Sequence, residues 1–150
     1  MLNNIQWHIK SFEELNTQEL YNILKLRVDV FVVEQNCPYP ELDNDDQKAT
    51  HIWLENNGEP LAYCRIFPPE IKYKEASIGR VVCHPNFRGK NHGRMLMQKA
   101  ISTIEKLYNT TAIRISAQDY LLTFYESLGF VSTKKRYVED GIPHTEMFKF

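Results

Sequence analysis

The 150-residue chain contains no apolar run near the ~20 residues that a membrane-spanning helix requires. Its first ten residues lack the basic segment, apolar stretch and small-residue cleavage site of a secretory signal. A cytoplasmic location without a membrane partner is therefore expected. Cysteine is scarce: Cys37, Cys64 and Cys83 are odd in number, widely spaced and without a CxxC pair, which excludes a disulfide framework and a zinc knuckle and suggests reduced thiols. No three His, Cys or acidic residues fall at a metal-ligand spacing, so no metal is expected. The net charge of −1 carries no excess of one sign, and nucleic acid is not an expected partner. Neither the dinucleotide pattern GxGxxG nor the Walker pattern GxxxxGK occurs. Internal repeats, low-complexity segments and linkers are also missing, and the chain reads as one domain over residues 1–150.

What is present suits an ordinary globular core: 43% of residues are hydrophobic and 25% charged, which leaves no compositional reason for disorder. Asn16 and Glu19 form a capping box, and Leu20, Ile23, Leu24, Val28 and Phe31 recur at helical spacing, so a helix is expected up to about Phe31 or Val33. Arg27 falls on that apolar stripe and needs either a structural ion pair or a substrate. Residues 35–50, with two prolines and no periodicity, read as a loop bordering a site. Strands are expected at 51–55 and 61–66 around the turn residues Asn57 and Gly58, at 77–83, at 112–117, and as a terminal pair around Asp140 and Gly141. The stripe Leu96, Met97, Ala100, Ile101, Ile104 and Leu107 predicts a long helix after Gly93. Leu121, Leu122, Tyr125 and Leu128 predict a second, closed by Gly129 in a left-handed cap with Phe130 folding back.

The densest chemical signal is residues 81–97, where an apolar strand passes through a basic, glycine-containing turn into an amphipathic helix. A helix start leaves backbone N–H groups unpaired and carries about half a positive charge, so a pyrophosphate there gains hydrogen bonds and dipole stabilisation together. Gly89 and Gly93 keep a Cβ out of the approach, and Arg88, Lys90 and Arg94 add positive charge.

Residues 88–93, Arg-Gly-Lys-Asn-His-Gly, resemble the pyrophosphate signature of the GNAT acetyltransferase superfamily, Arg/Gln-x-x-Gly-x-Gly/Ala. Asn91 stands where the first signature glycine is expected, and Asn tolerates the left-handed conformation better than other side chains. Residues 118–130 are similar to the superfamily's later coenzyme motif, with Gln118 at the usual Asn position and Tyr125 seven residues on. Residues 26–39 with Asp43, Asp46 and His51, the 78–80 segment and residues 140–144 resemble the ElaA-like branch. The matches run in order from about Leu26 to His144.

The resemblance implies an α/β (α+β) three-layer acyl-CoA N-acyltransferase fold, with a mixed, splayed sheet, helices on both faces, and acetyl-CoA lying in the V between the central strands. It implies direct transfer of the acetyl group to an amine, on a small molecule or on a peptide or protein, without an acyl-enzyme. The backbone of Val81, Val82 and Cys83 would pair with pantetheine as an added strand, leaving Cys83 a bystander. Arg88, Gly89, Lys90, Asn91, His92, Gly93, Arg94 and Gln118 would complete the coenzyme site. Tyr125 would be the general acid for the departing thiolate, although its stripe position also fits a core tyrosine. An ammonium acceptor must lose a proton before attack. Glu34 is the first candidate base, with His51, His144, Glu75 or a water chain as rivals. Arg27, His51, Arg80 and His144 are candidates for the acceptor side. Glu41, Asp43, Asp45 and Asp46 would suit a cationic acceptor or form a solvated acidic loop. The alternative is an acyl-CoA-binding sensor without transfer activity, and exposed sheet edges suit a homodimer.

Overall fold

A computed structural model describes residues 5–150. Strand β1, Ile5–Ser11, opens a four-stranded antiparallel sheet in the order β1-β2-β3-β4, with β2 at Thr50–Asn56, β3 at Glu59–Phe67 and β4 at Ser77–Cys83. A second sheet, ordered β5-β7-β6, contains β5 at Ile113–Gln118, β6 at Val131–Glu139 and β7 at Ile142–Lys149. The two sheets touch where Ala76 and Ile113 make a parallel bridge, with the Arg114 N–H donating to the Ala76 carbonyl at 2.9 Å. Beyond that point β4 and β5 diverge, so the edge of β4 that faces β5 has no strand partner. This is the mixed, splayed sheet that the sequence motifs imply.

Both hairpin turns use the residues that positive φ demands: Asn57 and Gly58 stand at φ 51° and 84°, Asp140 and Gly141 at 51° and 78°. Strand β1 has no counterpart among the sequence-read elements. Its alternation of Ile5, Trp7 and Ile9 is short, and its pairing partner lies about 45 residues later, from Thr50 to Asn56.

Helix α1, Thr17–Arg27, begins at the expected box: the Glu19 N–H donates to the Asn16 side chain at 2.8 Å, and the Asn16 N–H donates to the Glu19 carboxylate at 3.0 Å. Past Arg27 the chain widens into a π-helix, Val28–Glu34, with the Gln35 N–H reaching back to the Val30 carbonyl. Val30 stays in the core while Val33 turns out to solvent. Ile23, Leu26 and Val30 pack with Trp53, Tyr63 and Val82 on one face of the first sheet.

On the opposite face helix α2, His92–Tyr108, buries Leu96, Met97, Ala100 and Ile104 against Ile52, Ala62, Cys64, Ile66 and the β5 residues Ile113 and Ile115. Because both faces are covered, β3 is buried from Pro60 to Phe67 without alternation. Helix α3, Leu122–Glu126, is shorter than the periodicity suggests, since residues 119–121 form a 3₁₀ turn. Gly129 closes it at φ 96°, and the Phe130 ring meets Tyr125 edge-on at 6.0 Å.

Candidate active site

The first feature that shapes the site is a bulge in β4. Tyr63 opposes Val82 and Arg65 opposes Gly79, so Arg80 and Val81 together face Cys64. Arg80 takes φ 52°, a left-handed conformation that a non-glycine side chain adopts only under constraint. The extra residue reverses the strand's phase, so Ile78 packs on the α2 side while Val82 packs on the α1 side.

What holds Arg80 is a buried ionic network. Glu41 accepts from Arg27 Nε at 2.6 Å and from Arg80 Nε at 2.8 Å. Asp46 accepts from Arg27 Nη1 and Arg65 Nη1, both at 2.8 Å, and Asp43 from Arg65 Nη2 at 2.5 Å. Tyr39 also donates to Glu41. Three carboxylates thus neutralise three guanidiniums. Of the two uses expected for the acids of this loop, a cationic acceptor site or a solvated face, neither describes Glu41, Asp43 and Asp46, which are paired internally, while Asp45 pairs with Lys72 at 2.7 Å. Burial alone would raise the Asp43 carboxyl, but the Arg65 hydrogen bonds and the nearby charges outweigh it and hold it well below the usual range.

Arg27 is fully buried in this network and paired with Glu41 and Asp46, the ion-pair alternative of the two that its place on the apolar stripe left open. His51 is likewise sealed. Its Nε2 lies 2.9 Å from the Asp46 carbonyl, which can only accept, so Nδ1 must accept from the Tyr63 hydroxyl at 2.7 Å. Burial, aided by the Arg27 and Arg65 charges, pushes its pKa down. With both nitrogens occupied, His51 offers an acceptor neither a base nor a contact.

The splay between β4 and β5 opens a cleft of about 1130 Å³. One wall is β4, from Ser77 to Cys83. Ser116 and Gln118 of β5, Phe124 and Tyr125 of α3, and Tyr137 and His144 of the second sheet form the other. Gln35 bridges the walls, donating from Nε2 to Gln118 Oε1 at 3.3 Å. At one end the chain turns through Gly89 and Asn91, at φ 78° and 62°, into the start of α2. The departure from the signature at Asn91 is therefore sterically absorbed. A Cβ on Gly93 would meet Cys83 Sγ at 3.6 Å and Phe124 Cζ at 3.7 Å, ordinary contacts, so the local backbone tolerates a side chain there.

Arg94 donates to the Ser127 hydroxyl at 2.7 Å, the Lys90 ammonium lies 6.0 Å from the Phe87 ring centre, and His92 lies 3.0 Å from the Phe87 carbonyl. Arg88 makes a two-pronged pair with Glu34, at 2.8 and 2.6 Å. That hydrogen bonding lowers the Glu34 pKa, so the expected base is held as a weakly basic carboxylate tied to the anion loop. Glu75 is bound just as firmly to Arg114, at 2.9 and 3.0 Å, which draws its pKa down to about 2.

Tyr125 is 6% exposed and lines the cleft. No described residue hydrogen-bonds its hydroxyl. Burial raises its pKa, and burial also raises the Cys83 thiol across the cleft. Among the described residues no cluster of three His, Cys or acidic side chains is arranged to hold a metal.

A strand edge left unpaired, a loop feeding a helix start and a tyrosine in one cleft form the arrangement that the motifs implied, and comparison with known families agrees. Residues 17–149 match the model of the acetyltransferase (GNAT) domain. The chain belongs to the GNAT acetyltransferase family. Among GNAT relatives it is 41% identical to a UPF0039 protein of Schizosaccharomyces pombe, with 97% of each chain covered, and 39% identical to ElaA of Escherichia coli, with 95% of each covered. An acyl-CoA N-acyltransferase of Pseudomonas aeruginosa superposes with a TM-score of 0.93 at 38% identity, covering 98% of this GNAT chain and 100% of that one. The ElaA crystal structure gives a TM-score of 0.90 over the same shares. The acyl-CoA N-acyltransferase fold and the likeness to ElaA are thereby established.

Proposed function

We infer that this chain transfers the acetyl group of acetyl-CoA directly to an amine, with the coenzyme in the cleft between β4 and β5. The observation that carries the reading is the unpaired β4 edge leading into the residue 88–93 turn. Pantetheine carries amides that can hydrogen-bond along such an edge, through the backbone of Val81, Val82 and Cys83. The pyrophosphate would then meet the N–H groups at the start of α2, with Arg88, Lys90 and Arg94 around it. Gln118, on the opposite wall, would border the pantetheine.

At the thioester, Tyr125 donates its O–H to the departing sulfur. A phenol of raised pKa is a weak acid against an ordinary thiol, but the leaving thiolate is buried in the same environment, and burial raises thiols too. The phenol's hydrogen bond then stabilises the charge as it develops, in a dry site where such a bond is strong. Direct attack by the amine leaves Cys83 without a covalent role.

The test is hydrolysis-corrected thiol release across a panel of alkylamines, aromatic amines, amino acids and lysine peptides. Amine-dependent release supports the reading, and release that never exceeds hydrolysis for any amine refutes it. Acetyl-CoA binding without turnover would instead mark a sensor of acyl-CoA.

A further inference from the structure

We propose that His144 is the group that takes the proton from the acceptor amine, through Nε2. The assignment rests on the acetyltransfer reading and follows from how the ring is fixed. His144 is 8% exposed on β7, opposite Gln118 in the β5 register and opposite Tyr137 in the β6 register, and it lines the same cleft as Tyr125. Its Nδ1 lies 2.7 Å from the Ile142 carbonyl oxygen. A carbonyl only accepts, so Nδ1 carries the hydrogen and the neutral ring keeps its lone pair on Nε2. The ring stacks on Tyr137 at 5.9 Å and 13°, which fixes its plane.

Nε2 has no donor within hydrogen-bond distance among the described residues. Glu139 on β6 places its Oε2 3.6 Å from the same nitrogen. Asp119 of the 3₁₀ turn also interacts electrostatically with the ring, and it is itself paired with Arg136 of β6 at 2.6 Å. The Asp119 carboxylate also accepts from Thr145 at 2.6 Å. Glu34, His51 and Glu75 are all occupied by internal partners. His144 combines a place on the cleft wall, a ring fixed through Nδ1, and an Nε2 lone pair that no described donor occupies.

The step balances as follows. The ammonium gives one proton to Nε2, directly or through a water, and the neutral amine's electron pair forms the N–C bond to the thioester carbonyl carbon. The C–S bond breaks with its pair on sulfur, which takes the Tyr125 proton, and the second amine proton restores the phenol. One proton leaves to solvent through His144.

The experiment compares the wild type with His144→Gln and His144→Ala, using the amine of highest turnover in the panel above and calorimetric acetyl-CoA binding as a control. In His144→Gln, kcat/KM at neutral pH falls by about 10²–10⁴-fold and coenzyme affinity is unchanged. The loss shrinks as pH rises toward the amine's own pKa, because the neutral amine then forms without help. Added imidazole restores part of the His144→Ala rate. A wild-type rate and pH profile in His144→Gln, or a uniform loss at all pH values without imidazole rescue, overturns the assignment while leaving acetyltransfer standing. Absence of turnover with every amine in the wild type overturns both.

Discussion

Tyr125 keeps its proton across the physiological range because burial raises its phenol, so any effect of removing the hydroxyl is an effect on the reaction and not on a resting charge. Tyr125→Phe keeps the edge-on contacts to Phe124 and Phe130. It should lower kcat by about 10²-fold or more with little change in KM, measured by thiol release at saturating amine. An unchanged kcat would return Tyr125 to a core role. Arg27 makes the opposite case: nothing in it faces the cleft, and its worth is structural. Arg27→Met leaves Glu41 and Asp46 with Arg80 and Arg65 but strips one of three cations from a buried network. A loss of about 3–5 kcal/mol in urea unfolding is expected. Its partners are 14 and 19 residues further along the chain, which is why position on an apolar stripe poses the need for a partner but cannot name one.

At the scale of elements, the loop that enters α2 and the π-helical segment are coupled through Glu34 and Arg88. A pyrophosphate bound at this loop would compete with the Glu34 carboxylate for the same guanidinium. An exposed pair of this kind contributes about 0.2–1 kcal/mol. Glu34→Gln should therefore tighten acetyl-CoA binding by up to about fivefold, and a weaker Kd would show that Glu34 assists the coenzyme. The turn residues and the α2 stripe were legible because one residue type or one period decides them: Asn57 and Gly58, Asp140 and Gly141, and the Leu96 to Ile104 face. The π-helix, β1 and the Arg80 bulge were not. Each depends on a distant partner: the Glu41 carboxylate for Arg80, strand β2 for β1, and the sheet face for Val30.

For the molecule as a whole, the pH dependence of stability follows from groups that the fold keeps in one state. His51 is neutral in the fold and its pKa is lowered, so its contribution is complete above the unfolded value of about 6.5 and is lost as pH falls below that. Asp43 and Asp46 are held below their ordinary range, so their contribution is complete above about 4 and disappears at lower pH. The urea midpoint should decline gently below about pH 6.5 and steeply below about pH 4, and a flat midpoint down to pH 3 would contradict the network. At this scale the sequence motifs anticipated the splayed sheet and its cleft, because the anion loop and the tyrosine helix are local patterns. The neutralised acidic loop was not legible, since its charge balance exists only once Arg27, Arg65 and Arg80 converge.

The claim on which the rest depends is that acetyl-CoA lies against β4 with its pyrophosphate at the start of α2. Calorimetric titration of the wild type and of Gly93→Asp tests it directly. The added Cβ makes only ordinary contacts, and an acidic residue suits a helix start, so the variant should fold while repelling a phosphate. Binding by the wild type and its loss in Gly93→Asp is the expected result. No binding by either protein, or equal binding by a folded Gly93→Asp, would contradict the account.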